Sequence, residues 1–229
     1  MAKISPAGAS VKSGPKRRYD ASGRRVAARA TRRRILDSAH RLFVERGYAA
    51  TTVAAIAESA GVSIETIYLS VGSKAALVRY LIETALSGAQ EPVPPQEREG
   101  VEEIRAEPEP WRKVELFARM VRPMLERLAP IWTVVMEAAP SDPELDSLVR
   151  ELRERHVGSM RLVVEHLAEA GGLRPDLSPD VAADVLWATN SPEFYHLFVV
   201  GRGWSGDAFE RWLADAWQRL LLVDGQSGS

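Results

Sequence analysis

Between residues 51 and 74 the chain sets Thr52, Ser63 and Ser73 each directly ahead of a short one-sided apolar segment, with Gly61 and Gly72 between the segments. This pattern constrains the fold most. Ser and Thr side chains cap helix N-termini by accepting from exposed backbone N–H groups. Val53, Ile56, Ala57 and Ala60 repeat at i, i+3, i+4, i+7, which is one face of a short helix. Gly61 permits a tight turn, and Ser63 caps a second helix from Ile64 to about Ser70. After the break at Gly72 a further helix is expected from Lys74 to about Leu86, with Leu77, Val78, Leu81, Ile82 and Ala85 on its apolar side. Upstream, Ile35, Ala39, Leu42 and Phe43 make one face of a helix that begins near Thr31. Gly47 ends it, with Arg46 placed to complement its dipole.

Two short helices joined by a glycine turn have the proportions of a helix-turn-helix. In that motif the first helix braces across the DNA backbone and the second enters the major groove with its N-terminal residues at base edges. The charge distribution agrees. Residues 1–46 hold 13 Lys+Arg against 3 Asp+Glu, while the remainder holds 17 against 28. A basic end on an acidic body suggests that this end meets a polyanion. The same asymmetry speaks against a structural DNA-coating protein, whose body would be basic.

The run RRRILDSAHRLFVERGYAATTVAAIAESAGVSIETIYLSVGSKAALV resembles the DNA-binding domain of the TetR family of bacterial transcriptional regulators. The matching features are Ile35, Ala39 and Phe43 ahead of Gly47-Tyr48, then Thr51-Thr52-Val53, Ile56-Ala57, Ala60-Gly61-Val62-Ser63, Thr66-Ile67-Tyr68 and Ser73-Lys74. Ser70-Val71 stands where the family usually has His-Phe, at the expense of one phosphate contact and some core volume. The resemblance implies that Thr52, Ser63, Tyr68 and Lys74 hold phosphates. It places Ile64, Glu65, Thr66 and Leu69 on the reading face of the second helix. Ile64 or Thr66 suits a thymine methyl. Glu65 either accepts from a cytosine amine or serves only as a first-turn charge. Arg29, with Arg24, Arg25, Arg32, Arg33 and Arg34, is expected along the phosphates, the alternative being a solvated tail and an exposed helix face.

The rest of the chain is again helical in period, with no convincing strand alternation. Five prolines and many charges mark residues 87–110 as a loop. Helices are expected at 111–128 with a kink at Pro123, and at 130–138. A long helix is expected from Asp142-Pro143 to about Ala170, another from Ser178-Pro179 to about Val200 with a bend at Pro192, and a last helix after Gly203. The long helix carries the stripe Leu145, Val149, Leu152, His156, Ser159, Val163, His166, Ala170. The last carries Phe209, Trp212, Leu213, Trp217, Leu220. An aromatic-rich terminal stripe suits either a homodimer interface or packing within one chain; the resemblance implies the former.

Trp111, Phe117, Met120, Met124, Trp132, Met136, Trp187 and Phe194 can wall a pocket for an apolar or amphipathic effector, with Glu137, His166 and Asn190 as the nearest polar groups. Each is otherwise ordinary core or a satisfied polar residue. The absence of cysteine excludes disulfides, a thiol nucleophile and sulfur-ligated zinc. His156 and His166 lie about 15 Å apart along a helix and cannot share a metal by themselves. No HExxH, phosphate-binding glycine loop or GxSxG occurs, so no catalytic residue, metal or cofactor is expected. No apolar run approaches the roughly 18 residues of a membrane span, and a cytoplasmic location is expected.

The expected architecture is all-α, about nine helices. It comprises a flexible basic arm (1–28), a helix-turn-helix domain with its connecting helix (29–88), a Pro-rich connection (89–110) and a helical effector-binding and dimerisation domain (111–223). The expected function is sequence-specific binding of operator DNA as a homodimer, with repression relieved by a small molecule. Activation on the same fold is the alternative, and an enzyme using the helical pocket is the competitor from another class.

Overall fold

The computed structural model describes residues 21–223, and its secondary structure is helical throughout apart from one isolated antiparallel bridge between Leu173 and Leu222. Ten α-helices follow one another among these residues: α1 (Ala21–Ala50), α2 (Val53–Ala60), α3 (Ile64–Ser70), α4 (Lys74–Ser87), α5 (Val101–Ala106), α6 (Pro110–Ala138), α7 (Pro143–Glu169), α8 (Pro179–Thr189), α9 (Pro192–Tyr195) and α10 (Gly206–Leu221). Short 3-10 turns lie at Pro95–Glu97 and Ala139–Ser141, and a π-helical turn spans His196–Val200.

The caps stand where the Ser and Thr residues do. Thr52, Ser63 and Ser73 accept from the backbone N–H groups of Ala55, Thr66 and Ala76. Gly61 closes α2 at φ 64, a left-handed conformation that a side chain would strain. Thr51 is buried and donates to the carbonyls of Leu42 and Gly47, which pins the end of α1 under the start of α2.

Four expectations are corrected. Residues 21–28 are not an irregular arm but the first turns of α1; residues 1–20 of that arm lie outside the described residues. The Pro-rich connection contains α5, whose Ile104 is buried. Residues 111–128 and 130–138 are one helix, α6, with both Pro123 and Pro130 inside it. An interior proline costs about 3 kcal/mol. Here Val121, Leu125, Leu128, Ala129, Ile131 and Trp132 are buried around the two prolines, and that packing holds the helix together. Conversely, the expected helix 178–200 breaks at Asn190-Ser191, and Ser191 caps α9 by accepting from Phe194 N–H.

The apolar residues fall into two cores, and neither matches a stretch of sequence. The first joins α1–α4 to the back of α6 from Leu128 on, to Ala139 of the turn after it and to Leu145–Leu152 of α7. The second joins the front of α6 and the back of α7 to α8, α9 and α10. Helices α6 and α7, each roughly 40 Å long, run through both.

Candidate functional site

Helix α3 is short, and only Ile67 on it is buried, at 0 % exposure against α1 and α2. Its outer side shows Ile64, Glu65, Tyr68 and Leu69, the last 90 % exposed. Ile64, Tyr68 and Leu69 together give this short helix an exposed apolar and aromatic side. Thr66 is half-buried and turned back, its Oγ1 3.1 Å from Ser63 Oγ. Glu65 also folds back. Hydrogen bonds from its own backbone N–H and from the Ser63 hydroxyl hold its carboxyl below the usual range. Of the two sequence readings of Glu65, this geometry is that of a first-turn charge on the helix dipole.

Lys74 opens α4 with its ammonium 3.9 Å from the centroid of the Tyr48 ring. Burial lowers the Lys74 pKa, and Asp142 opposes that shift. Burial, then the charges of Asp142 and Glu144, then the hydrogen bond to Asp142 push the Tyr48 phenol up to about 12. Ser73 donates to Glu144. The start of α7 therefore abuts the residues that flank α3. Arg29 is not aligned with them in isolation: its guanidinium pairs with Glu91 at 3.1 Å, beyond the far end of α4.

The second feature is a cavity of about 830 Å³. Phe117, Met120, Met124, Trp132, His166, Trp187 and Asn190 line it, as the sequence reading expects. Four expected residues do not, the exposed Glu137 among them. Trp111 packs on the second core, its carbonyl accepting from Gln218. Met136 belongs to the first core and touches Arg153 through its sulfur. Phe194 stacks on Phe198 and Trp212 in an aromatic cluster. Among the residues that sequence reasoning missed are His156, Ser159, Met160, Glu193 and the arginines 98, 105, 119, 127, 153 and 155. For His156 and Ser159 a signal existed: they share the α7 stripe with His166. For the arginines none did, since a cation in a cavity wall and one on a solvated face have the same periodicity.

Burial pushes the His156 imidazole down to about 4, with Glu193 opposing, so it is neutral at pH 7. Trp132 Nε1 donates to Glu193 at 2.8 Å, and Arg153 pairs with the same carboxylate at 3.6 Å. Arg155, in the cavity wall, pairs with Glu83 of α4 at 2.7 Å; one turn earlier on each helix, Arg79 grips Glu151 through two bonds of 2.6 and 2.7 Å.

The expected dimer stripe is also corrected. Phe209, Leu213 and Trp217 are each 0 % exposed within a single chain. Trp217 stacks on Phe117 at 5.1 Å and donates to Thr189. These three side chains are consumed by the monomer core. Leu220, Leu197 and Val200 remain exposed, and Trp212 is half-buried against Phe194, Phe198 and Trp204.

The family model described as bacterial regulatory proteins, tetR family, matches residues 35–81. An uncharacterised HTH-type transcriptional regulator of Bacillus subtilis, YdeS, is 31 % identical over 176 residues, 75 % of this chain and 80 % of its own length. In three dimensions the chain resembles NalD of Pseudomonas aeruginosa, titled the secondary repressor of the MexAB-OprM multidrug efflux pump. The TM-score is 0.63 at 26 % identity, over 85 % of this chain and 97 % of that one. It likewise resembles SmeT in a complex with triclosan, with a TM-score of 0.67 at 20 % identity over 86 % and 93 % of the two chains.

Proposed function

The chain belongs to the TetR family of bacterial regulatory proteins, and from that premise we propose that it is a homodimeric repressor released from a near-palindromic operator by a small, largely apolar effector. The observation that carries the DNA reading is Leu69, 90 % exposed on a capped helix that is anchored from its other side by the fully buried Ile67. Two copies of α3 enter successive major grooves, so the half-sites lie roughly 34–36 Å apart or a small multiple of that. Ile64 and Leu69 face base edges, where an apolar side chain suits a thymine methyl; Thr66, turned back onto Ser63, supports the start of the helix. Thr52, Ser63, Tyr68 and Lys74 hold phosphates, and Glu65 orders the start of α3. Arg29 reaches the backbone once it leaves Glu91.

The effector reading is supported by the cavity itself and by the ligand in the SmeT complex. The repressor reading is supported by the NalD likeness. Leu197, Val200, Trp212 and Leu220 form the apolar ground for a second copy, since they are the part of this end that the monomer leaves uncovered. Among the described residues no helix is long and apolar enough to cross a membrane, in keeping with action in the cytoplasm.

Selection of bound DNA from a random pool tests the DNA reading. A near-palindrome is expected. Lys74→Ala should weaken binding to all sequences alike and reduce the salt slope by about 1. Leu69→Ala should relax preference at one position per half-site, at a cost of about 1–3 kcal/mol. A pool without dyad symmetry, or a Lys74→Ala variant with altered preference and unaltered affinity, overturns the assignment.

A further inference from the structure

Two polar atoms in the cavity wall have no hydrogen-bond partner: Nε1 of Trp187 and Oδ1 of Asn190. Asn190 is 2 % exposed, so bulk water does not reach its carbonyl. Its amide nitrogen is directed elsewhere, 3.5 Å from the Met160 sulfur, a weak acceptor. Native proteins leave few buried polar atoms unpaired, and here two such atoms belong to residues that line one cavity.

The pair is specific in what it asks for. Trp187 lies in the last turn of α8 and Asn190 caps that helix, so the two side chains are neighbours on one side. One atom only donates and the other only accepts. A single hydroxyl satisfies both, its oxygen accepting from Trp187 and its proton going to Asn190. A carboxylate satisfies only Trp187, and an ammonium only Asn190. The wall around the pair is not neutral: Arg98, Arg105, Arg119, Arg127, Arg153 and Arg155 line it against Glu99, Glu103 and Glu193. His156, its ring 6.4 Å from that of Trp187, is neutral at pH 7, and Glu193 in the same wall is already engaged by Arg153 and Trp132.

We infer that the cavity takes a mainly apolar molecule bearing a hydroxyl, an alcohol or phenol, seated between Trp187 Nε1 and Asn190 Oδ1. This rests on the reading of the cavity as the effector site, and binding measured without DNA separates the two.

Calorimetric titration of the DNA-free protein with 4-octylphenol, its methyl ether and octylbenzene makes the test. The phenol should bind roughly ten- to a hundredfold more tightly than either analogue, because only the phenol answers both atoms. Asn190→Leu should erase the gap between phenol and ether. Trp187→Phe keeps the ring but loses the donor, and should narrow the gap between phenol and hydrocarbon. Equal affinities of the three probes for the native chain, no binding of any, or an unchanged gap in Asn190→Leu overturns the inference. Should Asn190→Leu not fold, the three probes on the native chain and on Trp187→Phe decide it. A phenol bound with the expected preference that leaves operator affinity unchanged upholds the inference and overturns the effector reading.

Discussion

The DNA-facing end and the cavity are assembled differently. Thr52, Ser63, Ile64, Tyr68, Leu69 and Lys74 come from one unbroken stretch, held by caps and by a glycine turn that each act within four residues. The cavity wall is drawn from α4, the Pro-rich connection, α6, α7, α8 and α9, from Ile82 to Glu193. A local site survives small shifts of the elements around it. An assembled one changes with any of them, which is what a sensing site requires. Helix α7 joins the two, with Asp142 and Glu144 beside Tyr48 and Ser73 at one end and His156 to His166 in the cavity wall at the other.

The largest expected effect concerns which residues of α10 serve the monomer. Trp217→Ala should destabilise the fold by about 3–5 kcal/mol, since a fully buried indole leaves a cavity behind. Leu220→Glu combined with Val200→Glu should instead yield folded monomers with little change in melting temperature. Thermal denaturation with light scattering measures both. A Trp217→Ala chain that melts normally and dissociates would return that residue to the interface.

A smaller effect, of the order of 3 kcal/mol, belongs to His156. Its folded pKa of about 4 lies below its ordinary 6.5. Between those values the unfolded chain binds a proton that the folded chain refuses. Stability from this group is therefore complete above pH 6.5 and is lost as pH falls towards 4. His40, also lowered by burial, acts in the same direction. His156→Gln should flatten the decline of melting temperature over that window. An unchanged decline would place His156 in water rather than in the wall.

The smallest effect tests the link between the two regions. Arg79 and Glu151 are both largely exposed, so Glu151→Gln should cost stability about 0.2–1 kcal/mol at most. If α7 and α4 move as a unit, the same variant should reduce the factor by which effector and operator weaken each other's binding. Reciprocal titrations, effector with and without DNA and DNA with and without effector, read that factor. A native factor in the variant would route the coupling through α6 instead.

Legibility followed the same division. The four helices up to Leu86, their caps and the exposed reading face were all readable, because a capping hydroxyl, a left-handed glycine and a 3.6-residue period are written in neighbouring residues. The errors lie where long-range packing outweighed a local signal. Pro130 stands at the expected break between 111–128 and 130–138, yet packing in the two cores made one helix of both. Five prolines and many charges argue against structure at 87–110, yet Ile104 of α5 found a place in the second core.

The amino-acid sequence by itself determined an all-helical chain, the helix-turn-helix with its outward face, and the stripes of α7 and α10. Each of these depends on the spacing of residues a few positions apart. Only the tertiary structure decided that Trp217 is spent inside the monomer while Leu220 is not. It also decided that Phe194 and Trp111 miss the cavity while His156 and Met160 line it, and that Asn190 and Trp187 in its lining each keep a polar atom unpaired. An apolar stripe states that a face will be covered. Which neighbour covers it, and where the covering leaves a void, depends on how several helices meet, and no single stretch of sequence contains that sum.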